Sequence, residues 1–324
     1  MAHQIENMAY VGTTPWHGLG KQLPAKQSID VWAREAGMDW SIEQTPVCFQ
    51  AGTESAPDIR GFEDHKVLFR SDTKAPLSVV GGRYQVVQPR EVLEFYRDLT
   101  EISGFELETA GVLKEGRKFW ALARTGQSTA LGGKDVVNGY LLLATSCDGT
   151  LATTCTPTTV RVVCNNTLTV ALDKVGSQGI RVPHSTRFDA QAVKKQLGIA
   201  VARWDHFMYR MNQLSGRKVR KTQVERFIRQ VLTPIDLGVV PAGSPLPTNE
   251  RAMKKVQVLF DGQGRGAELS AAKGTAWGLL CAVTEFVDHE RRARSQDNRL
   301  DSAWFGVGAA VKQRALEHAL QLVA

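Results

Sequence analysis

The run FELETAGVLKEGRKFWALAR (residues 105–124) decides the fold class. Two apolar stretches, Phe105–Leu113 and Phe119–Arg124, flank the polar break Lys114, Glu115, Gly116 and Arg117. A short polar break containing glycine between two such stretches closes a β-hairpin. The pattern repeats in GYLLLATSCDGTLATTCT (residues 139–156), where Cys147, Asp148, Gly149 and Thr150 separate Gly139–Ser146 from Leu151–Thr156. Asp-Gly is a strong hairpin signal because both residues tolerate the left-handed backbone that a tight turn needs. Four strands in succession predict an antiparallel meander. Helical patterns on either side make the class α+β, with flanking helices and a mainly helical C-terminal region.

Upstream of the meander, Pro89 suits the first turn of a helix whose Leu93, Tyr96 and Leu99 recur at helical spacing, and Gly104 ends it. Ser78–Val87 reads as a strand and turn. Strands are expected near Ser41–Phe49 and Lys66–Arg70, with the polar stretch Gly52–Asp64 as a loop between them. Ser28 is a candidate N-cap for a short helix through Trp32 to Ala36, closed by Gly37. The first 26 residues are irregular, because Pro15, Gly18 and Gly20 break both ladders.

Downstream, two signals conflict. Thr158, Thr159, Val160, Val162 and Val163 are β-branched and favour a strand. Val160, Val163, Cys164, Thr167, Leu168, Ala171 and Leu172 recur at helical spacing, and this longer pattern predicts a helix. On that helix Arg161 and Asn165 would lie one turn apart on the outer face. Beyond it, Val193, Leu197, Ala200, Trp204, Phe207, Met211 and Leu214 form a heptad seam, expected to pack along a partner helix or between subunits. Further helices are expected at Thr222–Leu232, Asn249–Phe260, Leu269–His289 and Ala309–Val323, with Gly238–Pro247 as a linker. The division that follows is an α+β core domain over residues 1–186 and a helical domain over 187–324.

Composition narrows the function classes. The 324 residues are 43% hydrophobic, enough to bury a core and too many for a disordered chain. No apolar run approaches the roughly 18 residues of a membrane span. The start of the chain lacks a basic segment followed by an apolar one, so a cytoplasmic location is expected. Five cysteines, none in a CxxC pair, argue against a disulfide framework or zinc ribbon and read as small buried residues. Net charge is +7 and uneven: residues 1–150 carry 15 Lys+Arg against 19 Asp+Glu, and residues 151–324 carry 25 against 14. That asymmetry fits an anionic partner for the second half, or a surface kept soluble by charge.

For catalysis the sequence has no HExxH, GxSxG, DxD or paired-carboxylate motif. His17, His184 and Asp148 are the scattered candidates. The glycine-rich Asp261–Gly266 stretch precedes a helix, as a phosphate cradle does, but a dinucleotide fingerprint also needs a strand just before it. Basic groups are better populated. The first hairpin offers Lys114, Arg117, Lys118 and Arg124. The next element offers Arg161 with Asn165 and Asn166. Farther on stand Arg217-Lys218-Val219-Arg220-Lys221 and Glu290–Arg294. A nucleic-acid strand tracking a groove beside the sheet would place its phosphates on such residues and release counterions.

Several stretches carry a resemblance. Thr14–Gly20, Arg83–Gln88, Thr145–Gly149, Arg161–Leu168, Gly274–Gly278 and Trp304–Gly306 resemble the phage/plasmid-like protein family catalogued as domain of unknown function nine-three-two. This likeness implies a mobile-element context rather than a mechanism. More distantly, a helix, an antiparallel meander and a return helix resemble the core of ring-forming single-strand annealing proteins. That likeness implies a groove for single-stranded DNA lined by Lys114, Arg117, Lys118, Arg124, Arg161, Asn165 and Asn166. The leading expectation is thus a homo-oligomeric accessory protein binding single-stranded DNA in recombination or replication, without a cofactor, metal, membrane or catalytic step. The rivals are an enzyme acting on nucleotides or nucleic acid and a protein-interaction factor directed at a host.

Overall fold

The computed structural model describes residues 7–12, 15, 19–163, 166–169, 179–193, 195, 204–233 and 249–324. The chain opens with two short strands, β1 (Met8–Val11) and β2 (Lys21–Leu23). Helix α1 (Ile29–Glu35) follows, and Ser28 caps it as expected, its hydroxyl accepting from the Val31 N–H at 3.4 Å. Three strands come next: β3 (Ile42–Gln50), β4 (Ile59–Arg70) and β5 (Pro76–Gly81), which make an antiparallel sheet of their own in the order β3-β4-β5. Helix α2 (Pro89–Ser103) starts at the proline that the sequence marks.

The meander forms as expected. Strands β6 (Glu106–Leu113), β7 (Lys118–Leu131), β8 (Asp135–Ser146) and β9 (Thr153–Arg161) are consecutive neighbours. Strands β10 (Asn166–Thr169) and β11 (Ile180–Val182) both pair with β9. The full sheet runs β10-β9-β8-β7-β6-β1-β2, and β1 pairs with β2 in parallel, so the sheet is mixed rather than purely antiparallel. The helices α3 (Trp204–Gly216), α4 (Lys221–Leu232), α5 (Glu250–Val258), α6 (Ala276–Glu285), α7 (Gln296–Phe305) and α8 (Val307–Gln321) complete the chain. The fold is therefore α+β, with helices toward the C-terminus. No helix among the described residues is long and apolar enough to cross a membrane.

Two expectations need correction. The segment after Pro157 forms the end of β9 and then β10, not a helix: Thr167, Leu168 and Thr169 pair with Val160, Thr159 and Thr158. Thr158 and Thr159 are buried in the sheet, Val162 and Val163 are exposed beyond the end of β9, and the pairing of β9 with β10 engages the backbone of both. The polar stretch 59–64 is the first half of β4; with both faces wet it shows no hydrophobic alternation to read. Helix α7, which the sequence reading did not place, is capped by Ser295, accepting from the Asn298 N–H at 3.1 Å.

The chain forms two compact bodies, and neither is one continuous segment. The first comprises Met1–Gly126, Tyr140–Pro157 and Leu172–Val201; the second comprises Gln127–Gly139, Thr158–Ala171 and Ala202–Ala324. Strands β7, β8 and β9 each contribute residues to both bodies.

In the first body α2 lies on the meander. Phe95, Tyr96, Val92 and Leu93 join Phe119, Ala121, Leu141 and Leu143 in one apolar core. The Tyr96 hydroxyl sits between the carbonyl oxygens of Ala121 and Leu141, at 3.0 and 2.8 Å, so a polar atom in that core keeps a partner. Val193 is buried in the same core.

In the second body α6 is buried along its whole length and acts as the central post. Thr275 caps it, accepting from the Gly278 N–H at 3.0 Å. A side chain on Gly278 would meet the Ala272 carbonyl, so only glycine fits there. The buried sides of α3 and α4 are Trp204, Phe207, Met211 and Leu214, and Val224, Phe227, Ile228 and Val231. The C-terminal half of the heptad seam is thus used inside this body. Leu197 and Ala200 lie outside the described residues.

Candidate functional site

Of the seven expected contact residues, Lys114, Arg117, Lys118 and Arg124 belong to the first body and Arg161 to the second. Lys114 and Glu115 take left-handed backbone (φ 55° and 58°) ahead of Gly116, which closes the β6–β7 turn. Lys114 is half-buried there. Arg117 is exposed, with its guanidinium 3.9 Å from the Glu115 carboxylate. Lys118 is buried; at the Asp148 carboxyl burial pushes upward, but hydrogen bonds from the Thr150 hydroxyl and amide, with the Ser146 side chain and the Lys118 charge, bring it below its ordinary value. Arg124 reaches the Glu108 carboxylate at 2.7 Å, and the Tyr140 hydroxyl donates to the same carboxylate at 2.9 Å. Asn165 lies outside the described residues. Asn166 begins β10 instead of a helix face, with its side chain likewise undescribed.

Arg161 departs most from expectation. It is 3% exposed at the end of β9, in a bidentate pair with Asp135, both contacts 2.7 Å. Its other N–H groups donate to the carbonyls of Arg265 and Gly266 at 3.1 and 3.0 Å. The Trp277 indole donates to Asp135 at 2.9 Å. All these groups belong to the second body. Arg161 therefore ties the β7–β8 turn region, the glycine-rich loop and α6 together; a strand end buried under helices cannot offer its guanidinium to a phosphate.

The same contacts settle the glycine-rich loop. Its carbonyls face a cation. The Gly264 N–H donates to the Leu259 carbonyl at 2.9 Å, and the Arg265 N–H donates to Glu285 at 3.0 Å. The loop is a structural connection, with those donors already engaged. A second buried pair works alike: Lys312 donates to Asp288 at 2.9 Å and to the Thr167 hydroxyl at 2.7 Å, holding β10 to α8.

The catalytic candidates fare as follows. His17 lies outside the described residues. Asp148 forms a turn, accepting from the Thr150 N–H and hydroxyl. His184 stacks on Tyr84, with ring centroids 4.4 Å apart, and its two ring nitrogens face the carbonyl oxygens of Gln85 at 3.1 Å and Leu151 at 2.9 Å. A neutral imidazole carries one N–H and so donates to one of these two carbonyls. This ring borders an open cavity of about 620 Å³, which Glu63, Asp64, Arg83, Tyr84 and Ser185 also line. Burial pushes the nearby Cys147 thiol up to about 12, with the Asp148 charge adding to the rise, so it stays protonated at neutral pH. Cys155 and Cys281 are also buried, whereas Cys48 is exposed, unlike the expected core role. No group of metal-ligating side chains occurs among the described residues.

Exposed positive charge concentrates elsewhere. After Gly216 the chain runs extended, held by the Val219 N–H on the Gly274 carbonyl (3.1 Å) and Lys218 Nζ on the Lys273 carbonyl (2.7 Å). Arg217 Nε donates to the Leu322 carbonyl at 3.0 Å. Helix α4 begins at Arg220, whose N–H donates to the Gln223 side chain at 2.9 Å. Its apolar residues turn inward, which leaves Lys221, Glu225, Arg226 and Arg229 in solvent. Six exposed cations, Arg217, Lys218, Arg220, Lys221, Arg226 and Arg229, thus stand within thirteen residues beside one acid. Among the described residues none of the six is held in an ion pair. The basic run 217–221 was visible in the sequence. Arg226 and Arg229 join it only through the phase of α4, which the Val224, Phe227, Ile228 and Val231 spacing carries.

No curated protein and no solved structure matches the chain. A family model described as domain of unknown function (DUF932) matches residues 76–304, from β5 through the meander and the helices to Trp304 of α7. The Arg161–Asp135–Trp277 tie and the capped start of α6 both fall within that span, and the chain belongs to the DUF932 family.

Proposed function

We propose that this chain binds nucleic acid, single-stranded DNA in the first place, as a non-catalytic accessory protein, and that α4 with the strap before it is the contact surface. The observation that carries the reading is the set of six exposed cations between Arg217 and Arg229 with no ion-pair partner among the described residues. Such a surface neutralises backbone phosphates and leaves base edges free to pair, as annealing or strand protection requires. The hairpin residues Lys114 and Arg117 are secondary to it. A phage or plasmid setting accords with this role.

The test is anisotropy of a labelled single strand of about 30 nucleotides at low salt. Replacing Arg226 and Arg229 together by Glu should weaken binding at least tenfold or so, whereas Lys114→Ala with Arg117→Ala should change it little. Lack of affinity in the native protein at low salt, or equal affinity in the Arg226/Arg229 variant, overturns the reading.

A protein-interaction role has an observation of its own. Phe49, Ile59, Phe62 and Val79 are exposed on the three-stranded sheet, and Gln50↔Ile59 and Val47↔Phe62 are paired positions there. Size-exclusion chromatography of the native chain and of Phe62→Lys tests it: a shift from a larger to a smaller species supports an association through this sheet, and unchanged monomer in both removes it.

A further inference from the structure

Helix α3 leads directly into the cationic strap, and its wet side carries an unusual residue. Tyr209 is 61% exposed, and no other Phe, Trp or Tyr of the second body is exposed among the described residues. The ring does not swing freely: the Gln213 side-chain amide donates to its hydroxyl at 3.2 Å, one helical turn on. Tyr209, Gln213 and Gly216 follow helical spacing along one exposed strip, and Asn212 is exposed beside them. No acid stands between Tyr209 and Arg217. Arg217 lies eight positions after Tyr209, a helical rise of about 12 Å, which is the reach of a few nucleotides.

We infer that Tyr209 is a stacking platform for an unpaired base, and that it gives the surface its preference for single over double strands. This inference rests on the nucleic-acid reading above. Cations alone cannot make that distinction, because both forms of DNA present phosphates. An exposed aromatic face can, because a base inside a duplex is already stacked on its neighbours. A ring pinned by Gln213 loses little freedom when a base settles on it. The cations of the strap and α4 then hold the backbone that follows.

The experiment compares Tyr209→Ala, Tyr209→Trp and the Arg226→Glu/Arg229→Glu variant against a single strand and a duplex of the same sequence, at several salt concentrations. Tyr209→Ala should weaken the single strand about tenfold, leave the duplex unchanged and keep the salt dependence of native protein. Tyr209→Trp should retain or improve single-strand affinity. Equal loss on both ligands, or no loss on either, overturns the stacking role. If Tyr209→Ala is silent while the arginine variant still loses affinity, stacking alone fails; if the arginine variant binds like the native protein, the parent reading fails with it. Tyr209 is a surface residue, so unchanged thermal melting should accompany every outcome.

Discussion

Arg161 shows how one side chain changes meaning with its secondary structure. On a helix it would face solvent; at the end of β9 it meets Asp135, which is 0% exposed. Removing one partner strands a buried charge. Arg161→Ala should therefore cost about 3–5 kcal/mol, read as a lower urea midpoint, and replacing both partners by Leu should cost less. A stable Arg161→Ala protein that had lost only DNA affinity would contradict the buried tie. Asp72 illustrates the milder end. The Arg70 guanidinium beside it, itself stacked 4.2 Å over Trp40, holds the Asp72 carboxyl down at about 2 against the effect of burial. A carboxyl lower in the folded than in the unfolded state stabilises the fold above about pH 4, and that contribution disappears as the pH falls toward 2. Since Asp72 is 40% exposed, screening limits the gain to about 1 kcal/mol or less. Asp72→Asn should be less stable than the native chain at pH 7 and indistinguishable from it near pH 2; a difference that persists in acid would exclude this pair as its source.

At the scale of elements, legibility followed the local signal. The β6–β7 turn was readable because Gly116, at φ 95°, needs a residue without a side chain, and α2 because proline and an apolar stripe mark it. Residues 158–169 misled because a helical period happened to overlie two short strands, the end of β9 and β10, which pair with each other. No local pattern encodes the Lys312–Asp288–Thr167 contact that holds β10, since its members are up to 145 positions apart. Helix α4 states the most about function. No acid occupies its first turn, and Arg220 and Lys221 stand there instead, against the positive end of the helix dipole. A sequence tuned for stability alone would place an acid at exposed Thr222. Thr222→Glu should therefore stabilise the fold by about 0.3–1 kcal/mol and weaken single-strand binding at the same time. Thermal melts and anisotropy on one sample should move in opposite directions; a variant that both melts higher and binds as well as before would detach this helix from the ligand.

The charge of the whole molecule is divided by body rather than by halves of the sequence. The second body holds 21 Lys+Arg against 13 Asp+Glu; the first holds 19 against 20. A cut at one sequence position blurs this contrast, because residues 127–139 and 158–171 belong with the C-terminal helices. Buried cations such as Arg161 and Lys312 count toward the total and cannot meet a ligand, so net charge overstates the usable surface. The exposed set on the strap and α4 sets the real limit. If all six cations contact phosphates, the logarithm of affinity for a single strand should fall with the logarithm of salt at a slope of about −4. Between about 50 and 200 mM salt that is a loss of two to three decades. The Arg226→Glu/Arg229→Glu variant should flatten the slope by at least about 1.4, because two contacts become repulsive. A native slope near zero would mean that affinity, if present, comes from something other than phosphate neutralisation. A steep slope left intact by the variant would move the contact to other cations of the same body.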